Sequence, residues 1–254
     1  MKRALFLLCT ILLVPGAGML TAQVTEKPSI SVNSTAKVKA RADLAIVFMT
    51  IHTTAPLAAD ALEQNNKRVQ AVRDRLAALG YKEDQVKFSG NSFAPAGGRT
   101  VAYGDQRPTG FDVSTNLFIY FDGPELNDPQ QFNNRLSGLL DEMSKLGATP
   151  ANVPVLSPYP TGSTSVVAFT VKDPAALEKL AYQEAWKKAR PLADEIAQDM
   201  NVQITGIQSV GLQQQNLSSD RFDNLGIDIP YRYLSSSMNE VPIRVTLYVR
   251  YFYK

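Results

Sequence analysis

Cysteine, histidine and tryptophan each occur once in this chain of 254 residues. The one cysteine, Cys9, lies in an apolar stretch near the N-terminus. A lone cysteine excludes an intramolecular disulfide and a thiolate metal site. A lone histidine, His52, cannot hold a metal by itself, and Ser–His catalysis needs partners that the linear sequence does not identify. His52 therefore reads as a packed or surface residue. Excess charge is missing as well: 26 Lys and Arg face 24 Asp and Glu, a balance that gives no drive toward nucleic acid. Long apolar runs are also scarce. Residues 4–14 form an almost unbroken one, well short of the roughly 20 residues that span a bilayer, and no second stretch approaches that length.

What the N-terminus does contain is a three-part export signal. Lys2 and Arg3 give a positive end, and the apolar run follows. Pro15, Gly16 and Gly18 then break any helix ahead of Leu20, Thr21 and Ala22, a cleavage site with a small last residue. Residues 1–22 are thus expected to be a cleaved signal peptide. Residues 23–254 would be the working domain, with any sub-boundary near 150–165. The expected location is the periplasm, with no integral membrane span after cleavage. A lipoprotein would need its cysteine at the end of the apolar run, whereas Cys9 lies inside it. Cleavage removes Lys2, Arg3 and Cys9, so the 24 remaining basic residues match the 24 acidic ones. The exported part is then thiol-free and must be stable by packing alone.

Residues 29–38 and 43–53 read as strands. Ile30, Val32 and Val38 alternate with polar residues in the first. In the second, Leu44 opens a continuous apolar run that suits a central strand buried on both faces. A helix is predicted from Pro56, in its first turn, to Leu79, with Gly80 just beyond. Its stripe is Leu62, Val69, Val72, Leu76 and Leu79. Residues 85–93 give a third strand, 95–108 a Gly-rich loop, and 111–121 a fourth strand stopped by Asp122, Gly123 and Pro124. Asp128 and Pro129 open a second helix with Phe132, Leu136, Leu139, Leu140, Met143 and Leu146 on its buried side, ended by Gly147. Short β-like segments follow at 153–159 and 165–170.

The third helix has the clearest pattern. Asp173 caps it, Pro174 takes its first turn, and it reaches about Met200. Ala181, Ala185, Ala189, Ala193 and Ala197 stand four apart and share a face, a narrow ridge that lets another element approach closely. Packing within the chain is the expectation; a seam between subunits is the alternative. Pro191 is expected to kink the helix. Residues 202–212 form a strand, and the polar stretch 213–240 reads as an exposed loop or arm. A final strand, 242–253, alternates Ile243, Val245, Leu247, Val249 and Tyr251 with Arg244, Thr246, Tyr248 and Arg250. The order from 43 to 159 is strand, helix, strand, strand, helix, strand. The fold class expected is α+β: a mostly antiparallel sheet with helices on one face. Its βαββαβ-like core is extended by a third long helix and two C-terminal strands.

Four stretches together resemble the SIMPL-domain family, named after a signalling molecule that associates with a mouse pelle-like kinase. Ile30, Ser31, Val32 and Asn33, with Ala42, Asp43, Leu44 and Ala45, look like its opening strand pair. Ala61, Asn65 and Asn66, with Leu76, Gly80 and Tyr81, look like its first helix. Gly110 and Phe111 before the alternating residues 113–120 resemble the Gly-aromatic start of a central strand. The alanine-ridged helix leading into 202–210 resembles its C-terminal helix and strand. The sequence departs at Asn33, where the family often has Gly, and at Asn239 and Glu240, where a Gly-Glu pair often precedes the last strand. The resemblance implies a bacterial exported protein with no agreed enzymatic activity. Some members form large ring or channel-like homo-oligomers, and others are linked to oxidative-stress protection.

Motifs that carry chemistry are few. Gly97, Gly98 and Arg99 lack the Gly-Lys-Ser/Thr ending of a phosphate loop and open no helix. Asp220, Asp223 and Asp228 match no known cation-loop spacing. Asn33 and Asn216 begin formal glycosylation sequons, which carry little meaning in a bacterial protein. No residue is nominated as catalytic, cofactor-binding or metal-ligating. Aromatics concentrate toward the C-terminus, and Phe222, Tyr231, Tyr233, Tyr251 and Tyr253 are candidates for an oligomer interface. The function expected is that of an exported, non-enzymatic envelope protein. It would self-assemble and serve a scaffold, stress-protection or interaction role. The alternative is a binding module for a small ligand, using the loops at 95–109 and 213–240.

Overall fold

The computed structural model describes residues 27–97, 109–155, 163–212 and 233–254. In chain order, β1 (Ser29–Ala40), β2 (Leu44–Ala55), α1 (Ala58–Ala78), β3 (Val86–Phe88), β4 (Ser92–Ala96) and β5 (Gly110–Phe121) lead to α2 (Pro129–Lys145). The short strands β6 (Ala148–Pro150), β7 (Val153–Val155), β8 (Ser163–Ser165) and β9 (Val167–Thr170) follow. Then come α3 (Pro174–Asp199), β10 (Ile204–Leu212) and β11 (Val241–Tyr253).

The α+β class holds, with the strands divided between two main sheets. One runs β1-β11-β10. The other runs β3-β5-β2-β6, with β4 also on β5 and β9 also on β2. Strands β1 and β2, neighbours in sequence, therefore part. The first pairs antiparallel with β11 from Ser29↔Phe252 to Ala40↔Val241. The second is central between β5 on one side and β6 and β9 on the other. Its unbroken apolar run follows from that position. Ala45, Val47, Met49 and Ile51 enter the cluster roofed by α1 and α2. Leu44, Ile46 and Phe48 enter another with Val153, Val155 and Leu234, so the pleat buries both of its faces.

Local chemistry explains the helix limits. Asp128 caps α2 by accepting from the amides of Gln130 at 2.9 Å and Gln131 at 3.3 Å. Asp173 caps α3 by accepting from the Ala176 amide at 3.3 Å. Helix α1 begins at Ala58 rather than at Pro56, and Leu57 offers no capping side chain. Its end is a Schellman turn. Gly80 has φ +84°, its amide meets Ala77 O at 3.0 Å, and the Tyr81 amide meets Leu76 O at 3.0 Å. The turn puts Tyr81 in the core and leaves Leu79 39% exposed, so the buried stripe stops at Leu76. All five ridge alanines of α3 are buried against β1 and β11. The approach is close enough for Ser34 Oγ to donate to Ala185 O at 2.6 Å. The ridge is thus packed within the chain, as expected. Pro191 lies on the exposed side of one continuous helix.

Two sequence-based expectations change. Residues 85–93 do not form one strand: Gln85 belongs to a 3-10 turn, and β3 and β4 are separated at residues 89–91. There Ser89 folds onto Asn116 of β5, its amide donating to Asn116 O at 2.8 Å and its Oγ accepting from Asn116 N at 2.9 Å. The stretch 213–240 is not wholly an exposed arm either. Residues 213–232 lie outside the described ones, but Tyr233, Leu234, Ser235 and Met238 are buried. Ser235 makes a two-bond bridge with Phe169 beside β2.

Candidate functional site

The antiparallel register of β2 and β5 sets His52 opposite Ser114, Thr54 opposite Asp112 and Thr50 opposite Asn116. His52 Nδ1 lies 2.9 Å from Ser114 Oγ, and its Nε2 lies 3.2 Å from Thr54 Oγ1 and 3.5 Å from Asp112 Oδ1. Thr54 gives its hydroxyl proton to Asp112 Oδ1 at 2.5 Å. It can therefore only accept from His52, so in the neutral ring the proton sits on Nε2 and Nδ1 accepts from Ser114. A hydroxyl, an imidazole and a carboxylate thus stand in line. The partners that the sequence could not supply are 60 and 62 residues away, brought in by strand register alone.

The arrangement resembles a catalytic triad in its parts and differs in its setting. Half of the His52 side chain is in solvent. Ser114 sits in mid-strand, paired with His52 on β2 and with Ser92 on β4. Amides around it are committed to two ladders rather than aimed at a developing oxyanion, which acyl transfer requires. What the geometry provides is a hydrogen-bonded polar patch on a sheet surface. Among the described residues, no group of three or more His, Cys, Asp or Glu side chains is placed to hold a metal ion.

Beneath the same two strands lies a buried polar knot that the predicted α1 stripe of Leu62, Val69, Val72, Leu76 and Leu79 did not include. Asn65 of α1 is fully buried. Its Nδ2 donates to Ile51 O at 3.2 Å and Val113 O at 3.3 Å, and its Oδ1 accepts from Thr115 Oγ1 at 2.6 Å. Thr53 Oγ1 donates to Ala61 O at 2.9 Å. These bonds lock α1 onto both strands. A cavity of about 300 Å³ opens at the C-terminal end of α1, between Leu76, Tyr81, Val86 and Phe88, with Arg73 and Lys82 at its rim. It is lined by neither of the loops proposed above for a small ligand. Gly98, Arg99, Asn216, Asp220, Asp223 and Asp228 lie outside the described residues.

The interface expectation is corrected at two tyrosines. Tyr251 is 1% exposed and packs with the alanine ridge; burial pushes its hydroxyl above the ordinary value. Tyr233 is also buried and donates from its hydroxyl to Glu178 Oε2 at 3.0 Å. Both are part of this chain's own core, because they occupy the inward phase of the pleat or the loop that closes it. Tyr253 is half-buried beside α3, and Phe222 and Tyr231 lie outside the described residues. One exposed apolar strip lies elsewhere, on β10. Ile207, Val210 and Leu212 of β10 are 47%, 51% and 48% exposed. They pair with Tyr251, Val249 and Leu247 on the α3 side of the sheet, but the ridge of α3 packs on β1 and β11 and stops short of them.

Residues 30–247 match the family model SIMPL, described as a protein of unknown function (DUF541). No curated protein matches the chain.

Proposed function

Because the chain belongs to the SIMPL family, we propose that it is exported to the periplasm by removal of residues 1–22. It works there as a non-enzymatic, self-assembling envelope protein with a scaffold or stress-protection role. The observation that carries assembly is the edge of β10. Among the described residues this strand pairs on one side only, with β11. Its nine residues contain no charge and no proline, the usual devices that blunt an edge. Register shifts break its first half, while 209–212 keep regular pairing and point regularly spaced amides and carbonyls outward. A second copy adding its own β10 would satisfy those groups and cover Ile207, Val210 and Leu212, an isologous contact of the strand-addition kind.

Light scattering on the processed chain at micromolar concentration tests this. The wild type is expected above monomer mass, and Val210→Lys is expected to return it to monomer with its circular dichroism unchanged. A monomeric wild type refutes assembly. The absence of catalysis is supported by the ladder-bound setting of Ser114. Ester hydrolysis that disappears in His52→Ala would overturn it. Export is tested by N-terminal sequencing of the processed protein, expected to begin at or within a residue or two of Gln23.

A further inference from the structure

Although the chain as a whole is nearly neutral, its cations are not evenly spread. On the face of β1-β11-β10 turned away from α3, Lys37 stands directly opposite Arg244. Like charges opposed across a strand pair destabilise it. Lys39 and Arg250 extend the same face along the two strands, and Lys27 lies over the Phe252 ring at 5.7 Å from its centroid. Among the described residues, Glu240 is the one carboxylate ion-paired with these groups. It meets Lys37 and Lys39 at 3.0 Å each, and no described carboxylate pairs with Arg244, Arg250 or Lys27.

Arg250 is held in place without being neutralised. It donates from Nη2 to Tyr248 Oη at 3.0 Å, and Tyr248 in turn lies 2.9 Å from Ser31 Oγ. The β10 side of this ridge is kept low. Gly206 is opposite Phe252, Ser209 opposite Arg250 and Gly211 opposite Tyr248. A Cβ added at either glycine would meet nothing within 4 Å. Among the described residues the result is a long, open, shallow surface. Over the 12 residues of β1 it extends about 40 Å at the usual rise per strand residue. Nothing in that shape encloses a small anion; it suits a broad one.

We propose that this face docks the chain, as a peripheral protein, on a bilayer rich in anionic phospholipid. Lys37, Lys39, Arg244 and Arg250 meet headgroup phosphates, while Tyr248 and Phe252 take the interfacial position favoured by aromatic side chains. A broad, locally basic and aromatic face matches the headgroup layer of an anionic bilayer. The apolar strip of β10 is on the opposite side of the sheet, so docking and self-association do not compete.

Co-sedimentation of the processed chain with vesicles tests the proposal. One set is phosphatidylcholine alone, and the other contains about a third phosphatidylglycerol. Binding is expected on the anionic vesicles and is expected to fall steeply with added salt. Each Lys or Arg near such a surface contributes about fivefold in partitioning. Lys37→Gln with Arg244→Gln is therefore expected to weaken binding about 25-fold. That variant relieves the like-charge opposition and removes the exposed Lys37–Glu240 pair, small opposing effects, so its thermal midpoint should change little. Equal binding to both vesicle types, unchanged binding by the double variant, or no vesicle binding at all would overturn the proposal. So would binding confined to a single-stranded oligonucleotide. Light scattering without vesicles reads self-association separately, so Val210→Lys failing and this variant failing are distinct results.

Discussion

Replacing Asn65 by leucine removes, among the described residues, the one α1 side chain hydrogen-bonded to both β2 and β5, while keeping a similar branched shape and a good helix former. Three bonds are lost: two from Nδ2 to the carbonyls of Ile51 and Val113, and one into Oδ1 from Thr115. A typical bond contributes about 1 kcal/mol net, and a buried group left without a partner costs about 1–3 kcal/mol. Thr115 keeps a second partner in Asn91, at 2.6 Å, which spares it. The expected loss is therefore about 2–4 kcal/mol, a large share of the 5–15 kcal/mol usual for a domain. Urea unfolding followed by circular dichroism measures it. Asn66→Ala, on the neighbouring exposed position, serves as the control and should change stability by no more than about half a kcal/mol. An Asn65→Leu loss of half a kcal/mol or less would refute the claim that this knot holds the helix. Trp186 is on α3, against the other sheet, so its fluorescence provides a second probe. If the two sheets unfold as one unit, both probes report the same midpoint shift.

Three further outcomes follow from packing and charge. Ala189→Leu places a larger side chain in a fully buried ridge position over β1 and β11 and should cost about 1–3 kcal/mol or more by overpacking, read as a lower urea midpoint. Gly110→Ala would bring its Cβ to 2.5 Å from Ala55 O, so β5 must shift at its start; a comparable destabilisation is expected, and a neutral result would show that the strand end yields freely. Asp122 is held below its ordinary value of 3.8, first by its hydrogen bond from Lys172. Its contribution is therefore present above about pH 4 and lost as pH falls through the lowered folded-state value. The stability gap between wild type and Asp122→Asn should be seen at neutral pH and close in acid, and a gap that widens in acid would contradict the assignment.

Short-range chemistry was legible along the chain. Asp128 and Asp173 read as caps, Gly80 and Gly147 as helix ends, and the residues from Leu44 to Met49 as a strand buried on both faces. Each depends on interactions within a few residues or on a hydrophobic period that the local sequence states outright. The alanines of α3 also declared a buried face, though not which strands would lie beneath it. Pairing was not legible. That β1 joins β11, that the strands divide into two sheets, and that Ser114 and Asp112 reach His52 all depend on contacts between residues far apart in sequence. A one-residue change of register would turn the His52 face into the core. The role of Asn65 was not legible for the same reason: its partners are two strand carbonyls and the Thr115 hydroxyl, supplied from elsewhere in the fold. The interface tyrosines fared likewise. Residue type marked Tyr233 and Tyr251 as amphipathic, but only the pleat and the packing of α3 decided that they face inward. The sequence by itself determined a near-neutral domain, thiol-free beyond Cys9, with strong local punctuation. The tertiary structure alone decided how that charge is distributed, because alternation along β1 and β11 sends apolar side chains to the helix and gathers the cations on the face left open.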